Sequence, residues 1–251
     1  LHSVAHAVRN LERDRLELYC TKDGLQQLEA LSILKREDLA RVKTIICRPH
    51  DLQEKAKSLY DSSGQKYRRV TSQLILKAEK NRTLDSSWVF DKVKKEDQVR
   101  ILCLDQVTDV HNAAAIFRTA AFYAVDCIIV SQKGNFGEGS TFYRIASGAT
   151  EYVKAIKCSS LSKFFKTLKK MNVPIVGLTE HANKELNLND HIGNSICLVL
   201  GSEDKGLSNA TRRNLDYECS IKAMGAIQSL NVSVAAAIAM DRIFNSDVKR
   251  A

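Results

Sequence analysis

Side chains able to bind a ligand or move a proton occur at three points where an apolar segment leads into a helix-like one. They carry amide, guanidinium, carboxylate and hydroxyl groups, and two glycines flank the carboxylate: Asn112, Arg118, Gly201, Glu203, Gly206, Ser229 and Asn231. Glycine lets the backbone approach a ligand closely, and a helix start offers free N–H groups to it. Because strand ends and helix starts meet at one edge of an α/β domain, this spacing predicts a ligand-binding corner.

The segment from Ser229 to Met240 is the most informative of the three. From Val232 to Met240 it consists almost entirely of small apolar residues, which predicts a helix packed on two sides rather than one facing solvent. Ser229 and Asn231 stand at the predicted helix start, where they can cap free N–H groups or contact a ligand. An ordinary core helix with a polar cap is the alternative interpretation.

Neither glycine-containing segment carries a familiar nucleotide fingerprint. The run 134–139 (GNFGEG) has the wrong glycine spacing for G-x-G-x-x-G, and in 201–208 (GSEDKGLS) the lysine precedes the glycine, unlike a P-loop. The sequence therefore disfavours an enzyme that uses NAD or a nucleoside triphosphate.

Composition limits the class of protein. The chain has 251 residues, 44% of them hydrophobic, and a net charge of +9 carried by both residues 1–98 and 99–251. Such charge favours a polyanionic partner such as RNA, with a mildly basic soluble protein as the alternative. No apolar run approaches the roughly 20 residues of a membrane span, and no N-terminal signal pattern occurs. We therefore expect no membrane partner and a cytoplasmic location.

The cysteines predict neither a disulfide framework nor a zinc site. They are odd in number and none forms a C-x-x-C pair: Cys20, Cys47, Cys103, Cys127, Cys158, Cys197 and Cys219. Most lie in strand-like apolar runs, so we expect small buried hydrophobic residues in a reducing compartment. No metal is expected.

Hydrophobic periodicity predicts a small α/β domain over residues 1–76. The predicted helices are 1–10, 25–42 (one helix or two) and 51–60 with Asp51 as its cap, and the predicted strands are 15–20, 44–47 and 67–76. The charged segment 77–98 is predicted to be a linker, with Trp88 to Phe90 as a local anchor; a solvated helix face is the alternative interpretation of its charges.

From residue 99 onward strand-like and helix-like segments alternate. The predicted strands are 99–104, 127–130, 152–155, 173–178, 196–200 and 217–221, and the predicted helices are 112–122, 141–147, 161–171, 207–215 and 229–244. Alternation at this spacing predicts an α/β domain over residues 99–251, with a parallel sheet covered by helices on both faces.

The three polar motifs, in this order and spacing, resemble the SpoU/TrmH family of RNA ribose 2′-O-methyltransferases over roughly residues 98–247. The resemblance implies S-adenosylmethionine as cofactor, a trefoil knot near the C-terminus and a homodimer. It also implies two sets of site residues. Those expected to bind the cofactor are Leu178, Thr179, Gly201, Ile221 and Leu230. Those expected to be catalytic are Arg118, Asn112, Glu203, Ser229 and Asn231.

The same resemblance gives Arg118 the role of engaging the target ribose and helping to activate its 2′-OH. A guanidinium is a poor base because its pKa exceeds 12, so we expect it chiefly to stabilise developing alkoxide charge or hold a phosphate. The residue that accepts the proton stays open. Glu203 is expected to pair with Arg118 and orient it. The motifs depart from the family's pattern at Ala114, where glycine is usual, and at Lys222, where proline is usual.

The N-terminal domain resembles the L30e-like substrate-binding domain that often precedes this catalytic domain. Relatives commonly carry a His-Gln-Gly signature there, whereas residues 64–70 of this chain read GQKYRRV. Lys66, Arg68 and Arg69 are the expected RNA contacts.

The sequence thus predicts an RNA 2′-O-methyltransferase whose domain pairing most resembles the bacterial enzymes that modify a guanosine of 23S rRNA. A tRNA ribose 2′-O-methyltransferase is one alternative. A catalytically inactive RNA-binding module of the same fold is the other.

Overall fold

The computed structural model describes residues 1–81, 84–131, 136–186 and 195–244. The chain divides into two compact units, Leu1–Arg82 and Thr83–Ala251. Gly134, from the glycine run singled out above, and residues 82–83 of the predicted linker lie outside the described residues.

The first unit is built around a three-stranded sheet in the order β2-β1-β3. Strand β1 pairs in parallel with β2 and antiparallel with β3. Its elements in chain order are α1 His2–Arg9, β1 Glu17–Cys20, α2 Lys22–Glu29, α3 Arg36–Ala40, β2 Lys43–Ile46, α4 Pro49–Ser62 and β3 Leu74–Lys77. Leu18 and Leu28 are fully buried in its core. The predicted α/β character of this segment agrees with these elements.

Two details of the first unit differ from the predictions. Helix α4 begins at Pro49 with Arg48 as its N-cap, since proline at the first helical position presets the backbone angle. Asp51 is therefore not the cap; its carboxylate accepts a hydrogen bond from Arg48 Nε at 2.8 Å, which lowers the pKa of Asp51. Strand β3 is also shorter than predicted, because the Gln53 side chain binds both backbone groups of Val70 in place of a strand partner.

The segment predicted as a linker contains helix α5, Ser86–Lys95, which belongs to the second unit. Asp85 caps the helix by accepting a hydrogen bond from Ser87 N. Val89 is fully buried, and the ring of Phe90 stacks on Phe164 at 5.5 Å. The apolar residues of this charged segment thus cover one face of the larger sheet.

The second unit contains a six-stranded sheet in the order β6-β5-β4-β8-β7-β9, and every pairing in it is parallel. Its strands are β4 Arg100–Asp105, β5 Cys127–Ser131, β6 Lys154–Cys158, β7 Ile175–Leu178, β8 Ile196–Gly201 and β9 Tyr217–Cys219. Its further helices are α6 Val110–Phe122, α7 Ser140–Ala146, α8 Leu161–Lys170, α9 Asn209–Arg212 and α10 Val232–Phe244, with a 3-10 turn at Ala149–Glu151. The predicted parallel α/β architecture is confirmed.

Helices cover both faces of this sheet. One apolar cluster joins α6, α7 and α10 to the sheet, and another joins α5 and α8 to its opposite face. The central strands β4 and β8 are therefore buried on both sides, as their near-continuous apolar sequences require. Of the helices described, none is both long and apolar enough to cross a membrane.

Most of the cysteines are buried, as the sequence predicts. All seven are free thiols, and six are buried, Cys47 being the partly exposed one. Burial raises the pKa of the Cys103, Cys127 and Cys197 thiols, so they remain protonated and unreactive at neutral pH.

The parallel sheet sets the position of a site. The chain leaves β4 towards β5 and β6 on one side, whereas β8, β7 and β9 lie on the other. The strand order thus reverses between β4 and β8, and ligands of open α/β sheets bind at the carboxyl ends of the strands at such a point. Asp105 and Gly201 are paired residues at those ends.

Candidate active site

A cavity of about 400 Å³ lies at the carboxyl ends of β7 and β8. The loop 202–207 and the segment 228–232 before α10 form its other walls. All five residues predicted to bind a cofactor line it: Leu178, Thr179, Gly201, Ile221 and Leu230. The volume lies within the range typical of small-molecule sites, roughly 300 to 1,000 Å³.

Two glycines shape the wall formed by the loop after β8. Ser202 and Gly206 exchange backbone hydrogen bonds of 3.1 and 2.9 Å, which closes a tight turn. Gly206 has a φ of +60°, and a Cβ on Gly201 would lie 2.2 Å from the carbonyl carbon of Gly206. Side chains are therefore excluded at Gly201 by contact and disfavoured at Gly206 by backbone strain, which leaves bare backbone facing the cavity.

A buried carboxylate fixes the far end of this loop. Asp105, only 3% exposed, accepts a hydrogen bond of 2.7 Å from the backbone N–H of Ser208. Ser208 is in turn the N-cap of α9 and accepts from Thr211 N. The loop is thus held at both ends by the sheet, and its shape is set before any ligand binds.

The three polar motifs meet at Glu203, on the rim of the cavity. Its Oε1 accepts hydrogen bonds from Asn112 Nδ2 at 2.9 Å and from Asn231 Nδ2 at 2.5 Å. A third contact comes from the backbone N–H of Val232, at 3.3 Å, in the first turn of α10. The carboxylate therefore sits where the positive end of the helix dipole favours a negative charge.

Asn231 joins this cluster to the last helix. Its Oδ1 accepts from the backbone N–H of Ser233 at 2.9 Å, so Asn231 is the residue that caps α10. Its Nδ2 also donates to Asn112 Oδ1 at 3.0 Å. One side chain thus satisfies the helix start through its oxygen and binds Asn112 and Glu203 through its nitrogen.

The prediction that the last helix begins at Ser229 was wrong by three residues. The helix begins at Val232, because Asn231 and not Ser229 supplies the capping oxygen. Ser229 is instead exposed in the segment before the helix and lines the cavity. Its hydroxyl makes no hydrogen bond to any described residue, so it can contact a ligand. Likewise, Ile221 lies in a loop, since β9 ends at Cys219.

Asn112 was predicted to start a helix, and it lies two residues inside one. Helix α6 begins at Val110, and Asp109 caps it by accepting from the backbone N–H of Asn112 at 2.8 Å. Because Asp109 caps the helix, the side-chain amide of Asn112 is available to bind Glu203 and Asn231.

Arg118 does not join this cluster within the chain. It is exposed on α6 and makes no hydrogen bond or ion pair with any described residue. Arg118 lies six positions after Asn112, so the two side chains point roughly 120° apart around the helix axis. The expected pairing of Arg118 with Glu203 is therefore absent, and the partners of that carboxylate are amides.

Sequence reasoning missed several cavity residues. Glu180 and His181 follow β7 directly and line the cavity; their position after a predicted strand was the available signal. Arg212 of α9 also lines it and forms two hydrogen bonds, of 2.8 and 2.7 Å, with Glu218. This pairing lowers the pKa of Glu218 and raises that of Arg212. Nothing in the sequence pattern distinguished Arg212.

The predicted RNA contacts Lys66, Arg68 and Arg69 lie in the first unit. They are exposed in the irregular segment after α4 and form no ion pair with the described residues. The described residues contain one group spaced to hold a metal ion, His50, Asp51 and Glu54 on α4. It is not part of the cavity lining.

The fold and cavity define an α/β ligand-binding domain in which three separate polar motifs converge. Over residues 99–241 the chain matches the SpoU rRNA Methylase family. The chain therefore belongs to this family, as the resemblance of its motifs implied.

The relatives of this chain include proteins named as RNA methyltransferases. The chain is 37% identical over 149 residues to the 23S rRNA (guanosine-2′-O-)-methyltransferase RlmB of Blochmanniella floridana, covering 59% of this chain and 58% of that protein. With RlmB of Escherichia coli K12 the identity is 32% over 167 residues, covering 66% and 68%. An uncharacterized tRNA/rRNA methyltransferase of Borreliella burgdorferi is 34% identical over 172 residues, covering 66% and 74%.

Solved structures share the fold over nearly the whole chain. The SpoU methyltransferase AviRb of Streptomyces viridochromogenes, in complex with AdoMet, superposes with a TM-score of 0.73 at 19% identity, covering 98% of this chain and 88% of that one. A TrmH-family protein from Porphyromonas gingivalis gives 0.71 at 18% identity, covering 98% and 87%. At these identities the likeness supports the architecture alone.

Proposed function

We propose that this protein transfers a methyl group from S-adenosylmethionine to a ribose 2′-OH of RNA, at a guanosine of 23S rRNA. One observation carries the proposal: Asn112, Glu203 and Asn231 meet on the rim of a cavity lined by all five residues expected to bind the cofactor. Relatives named as RNA 2′-O-methyltransferases support the reaction class.

The cavity fits the proposed cofactor. Its walls combine bare backbone at Gly201 with apolar side chains at Leu178, Ile221 and Leu230, a lining suited to an adenine ring read by backbone groups. When bound there, S-adenosylmethionine supplies an electrophilic methyl group on a positively charged sulfur. Thr179 and Ser229 add hydroxyl groups for its polar parts. No metal takes part in this proposal.

The polar cluster positions the acceptor. Glu203 Oε1 is fully occupied by amide donors, while Oε2 accepts no hydrogen bond from the described residues. That second oxygen and the Ser229 hydroxyl therefore remain available to bind a ribose at the cavity. Methyl transfer releases the 2′-OH proton, and Glu203, Ser229 or a bound water accepts it. Arg118 lies apart from this cluster within the chain, and the resemblance to the family gives it the role of stabilising the alkoxide charge that develops on the 2′-oxygen.

The finer features of the fold are part of the same proposal. The mixed sheet and helices of the first unit support an L30e-like domain that binds RNA through Lys66, Arg68 and Arg69. Ile221 and the segment 228–232 line one cavity together with the loop 202–207, which supports a trefoil knot. Exposed apolar side chains before and within α10 support a homodimer.

Two experiments separate this function from its alternatives. Mapping of 2′-O-methyl groups in rRNA and tRNA with and without the gene should show one 23S rRNA guanosine losing its mark; a lost tRNA mark would favour the tRNA alternative. Calorimetry should show that S-adenosylmethionine binds in the presence of a metal chelator. Failure to bind either the donor or its demethylated product would favour an inactive RNA-binding module.

A further inference from the structure

Helix α8 of the second unit has a strongly basic outer face. Between Glu151 and Glu180 the chain carries six lysines and no Asp or Glu. Four of these lysines belong to α8, where all four are exposed. The helix itself carries no carboxylate that could offset these positive charges.

Three of these lysines share one stripe of the helix. Lys163, Lys166 and Lys170 follow the spacing i, i+3, i+7, which places them on one side over about 10 Å of helix length. None of the three makes an ion pair with a described residue, whereas Lys169 pairs with Asp216 at 2.8 Å. We call Lys163, Lys166 and Lys170 the lysine face.

The start of α8, where the lysine face begins, contacts the segment that follows α9. Asn214, just after α9, has its side-chain amide 3.5 Å from Ser162 Oγ at the start of α8. Arg212 of α9 lines the cavity. Its neighbour Arg213 is exposed and makes no ion pair with the described residues. The exposed Arg213 thus stands in sequence between the cavity-lining Arg212, whose charge is paired with Glu218, and Asn214, which contacts the start of α8.

The chemistry of this face suits the phosphate backbone of a nucleic acid. Lysine ammonium groups on flexible stems bind phosphates as point charges and carry no base specificity. The aromatic residues of α8, Phe164 and Phe165, are buried, so the face has no ring on which a base could stack. A membrane-binding helix would need an apolar face to insert, and that face of α8 is committed to the core.

We propose that the lysine face is a second RNA-contact surface, on the catalytic unit, that holds the phosphate backbone of the substrate next to the target nucleotide. The proposal rests on RNA being the substrate. It differs from the contacts expected of Lys66, Arg68 and Arg69, because it would anchor RNA on the unit that carries the cavity.

The test neutralises the face without disturbing the helix. The triple variant Lys163→Gln, Lys166→Gln, Lys170→Gln removes the charges and keeps good helix formers. A matched control, Lys22→Gln, Lys43→Gln, Lys80→Gln, removes equal charge from exposed lysines of the first unit. The probe is an unmodified transcript of Escherichia coli 23S rRNA, assayed both for binding and for methyl incorporation.

We expect the triple variant to raise the KM for RNA about tenfold and to lower the salt-dependence slope of RNA binding by about 2, with kcat and donor affinity unchanged. The control should resemble the wild type. Equal losses in both variants, an unchanged slope, or binding to phosphatidylglycerol vesicles instead of RNA would overturn the proposal. If the wild type binds the transcript without methylating it, the proposed reaction is wrong. The salt-dependence slopes of RNA binding by the wild type and the triple variant then still show whether the lysine face contacts RNA.

Discussion

The side-chain amide of Asn231 lies 2.5 Å from Glu203 Oε1 and so ties the start of the last helix to the loop after β8. These residues belong to two different sequence motifs, and Asn112 of the third motif binds both. The contact orders a carboxylate on the cavity rim without any basic side chain.

Replacing Asn231 by Asp should weaken cofactor binding about tenfold. Aspartate caps a helix as well as asparagine does, but it would place a second carboxylate against Glu203, which loses a donor. Losing that hydrogen bond should also lower the free energy of unfolding by about 1 to 3 kcal/mol. Calorimetry with S-adenosylhomocysteine and urea unfolding measure the two effects.

The matched partner change is Glu203→Gln. In the double variant, the glutamine amide can donate to the new aspartate, so most of the lost binding and stability should return. If Asn231→Asp alone binds like the wild type, the contact does not organise the cavity.

Gly201→Ala should abolish detectable cofactor binding or reduce it by more than tenfold. The added Cβ would lie 2.2 Å from the Gly206 carbonyl carbon, so the loop that forms the cavity wall must move. Gly225→Ala is the control, because no atom lies within 4 Å of its Cβ position. Equal affinities for the two variants, measured by calorimetry, would show that the loop shape is not needed for binding.

Light scattering should give a mass of twice the chain's 28.1 kDa for the protein at micromolar concentration. Val234 is 46% exposed on α10, whereas Ala236 is fully buried in the core. Val234→Glu should therefore yield a folded monomer, and Ala236→Glu should destabilise the fold itself because it buries a charge. A wild-type mass of 28.1 kDa would contradict the dimer.

Arg118→Ala should lose methyl transfer by several orders of magnitude with little change in donor affinity. Its help is expected mainly in the transition state, and an exposed unpaired side chain contributes little to stability. Arg36→Ala, an exposed arginine of the first unit, is the control. Changes at Lys66, Arg68 or Arg69 should do the opposite, weakening RNA binding while sparing turnover at saturating RNA. Near-normal turnover of Arg118→Ala would refute its role.

Much of the second unit could be predicted because its information is local. The apolar runs of β4 and β8 and the alternation of strands and helices determine a parallel sheet, and the sheet brings Gly201 and Leu178 to one edge. The details that failed depend on distant contacts. Ser229 and Asn231 are both good caps, and Asn231 is selected by Glu203, which is far away in sequence.

The assignments around α5 and Arg118 failed for similar reasons. The linker prediction for 77–98 missed helix α5 because charges dominate the segment, whereas the predicted apolar anchor holds: Val89 is fully buried and Phe90 packs on Phe164. The expected pairing of Arg118 with Glu203 took account of distance along α6 but not of the rotation between residues 112 and 118. The amides that bind Glu203 instead belong to Asn112 and Asn231, which are far apart in the sequence of the second unit.

The transfer of a methyl group to a ribose hydroxyl leaves a methylated nucleoside that can be identified chemically. Purified protein would be incubated with an unmodified Escherichia coli 23S rRNA transcript and S-adenosylmethionine carrying a labelled methyl group. The RNA would then be digested to nucleosides for mass spectrometry. We predict label in 2′-O-methylguanosine and in no base-methylated nucleoside. Label on a base, or none in the rRNA or in a parallel tRNA sample while the protein binds the donor, would rule out ribose methylation by this protein.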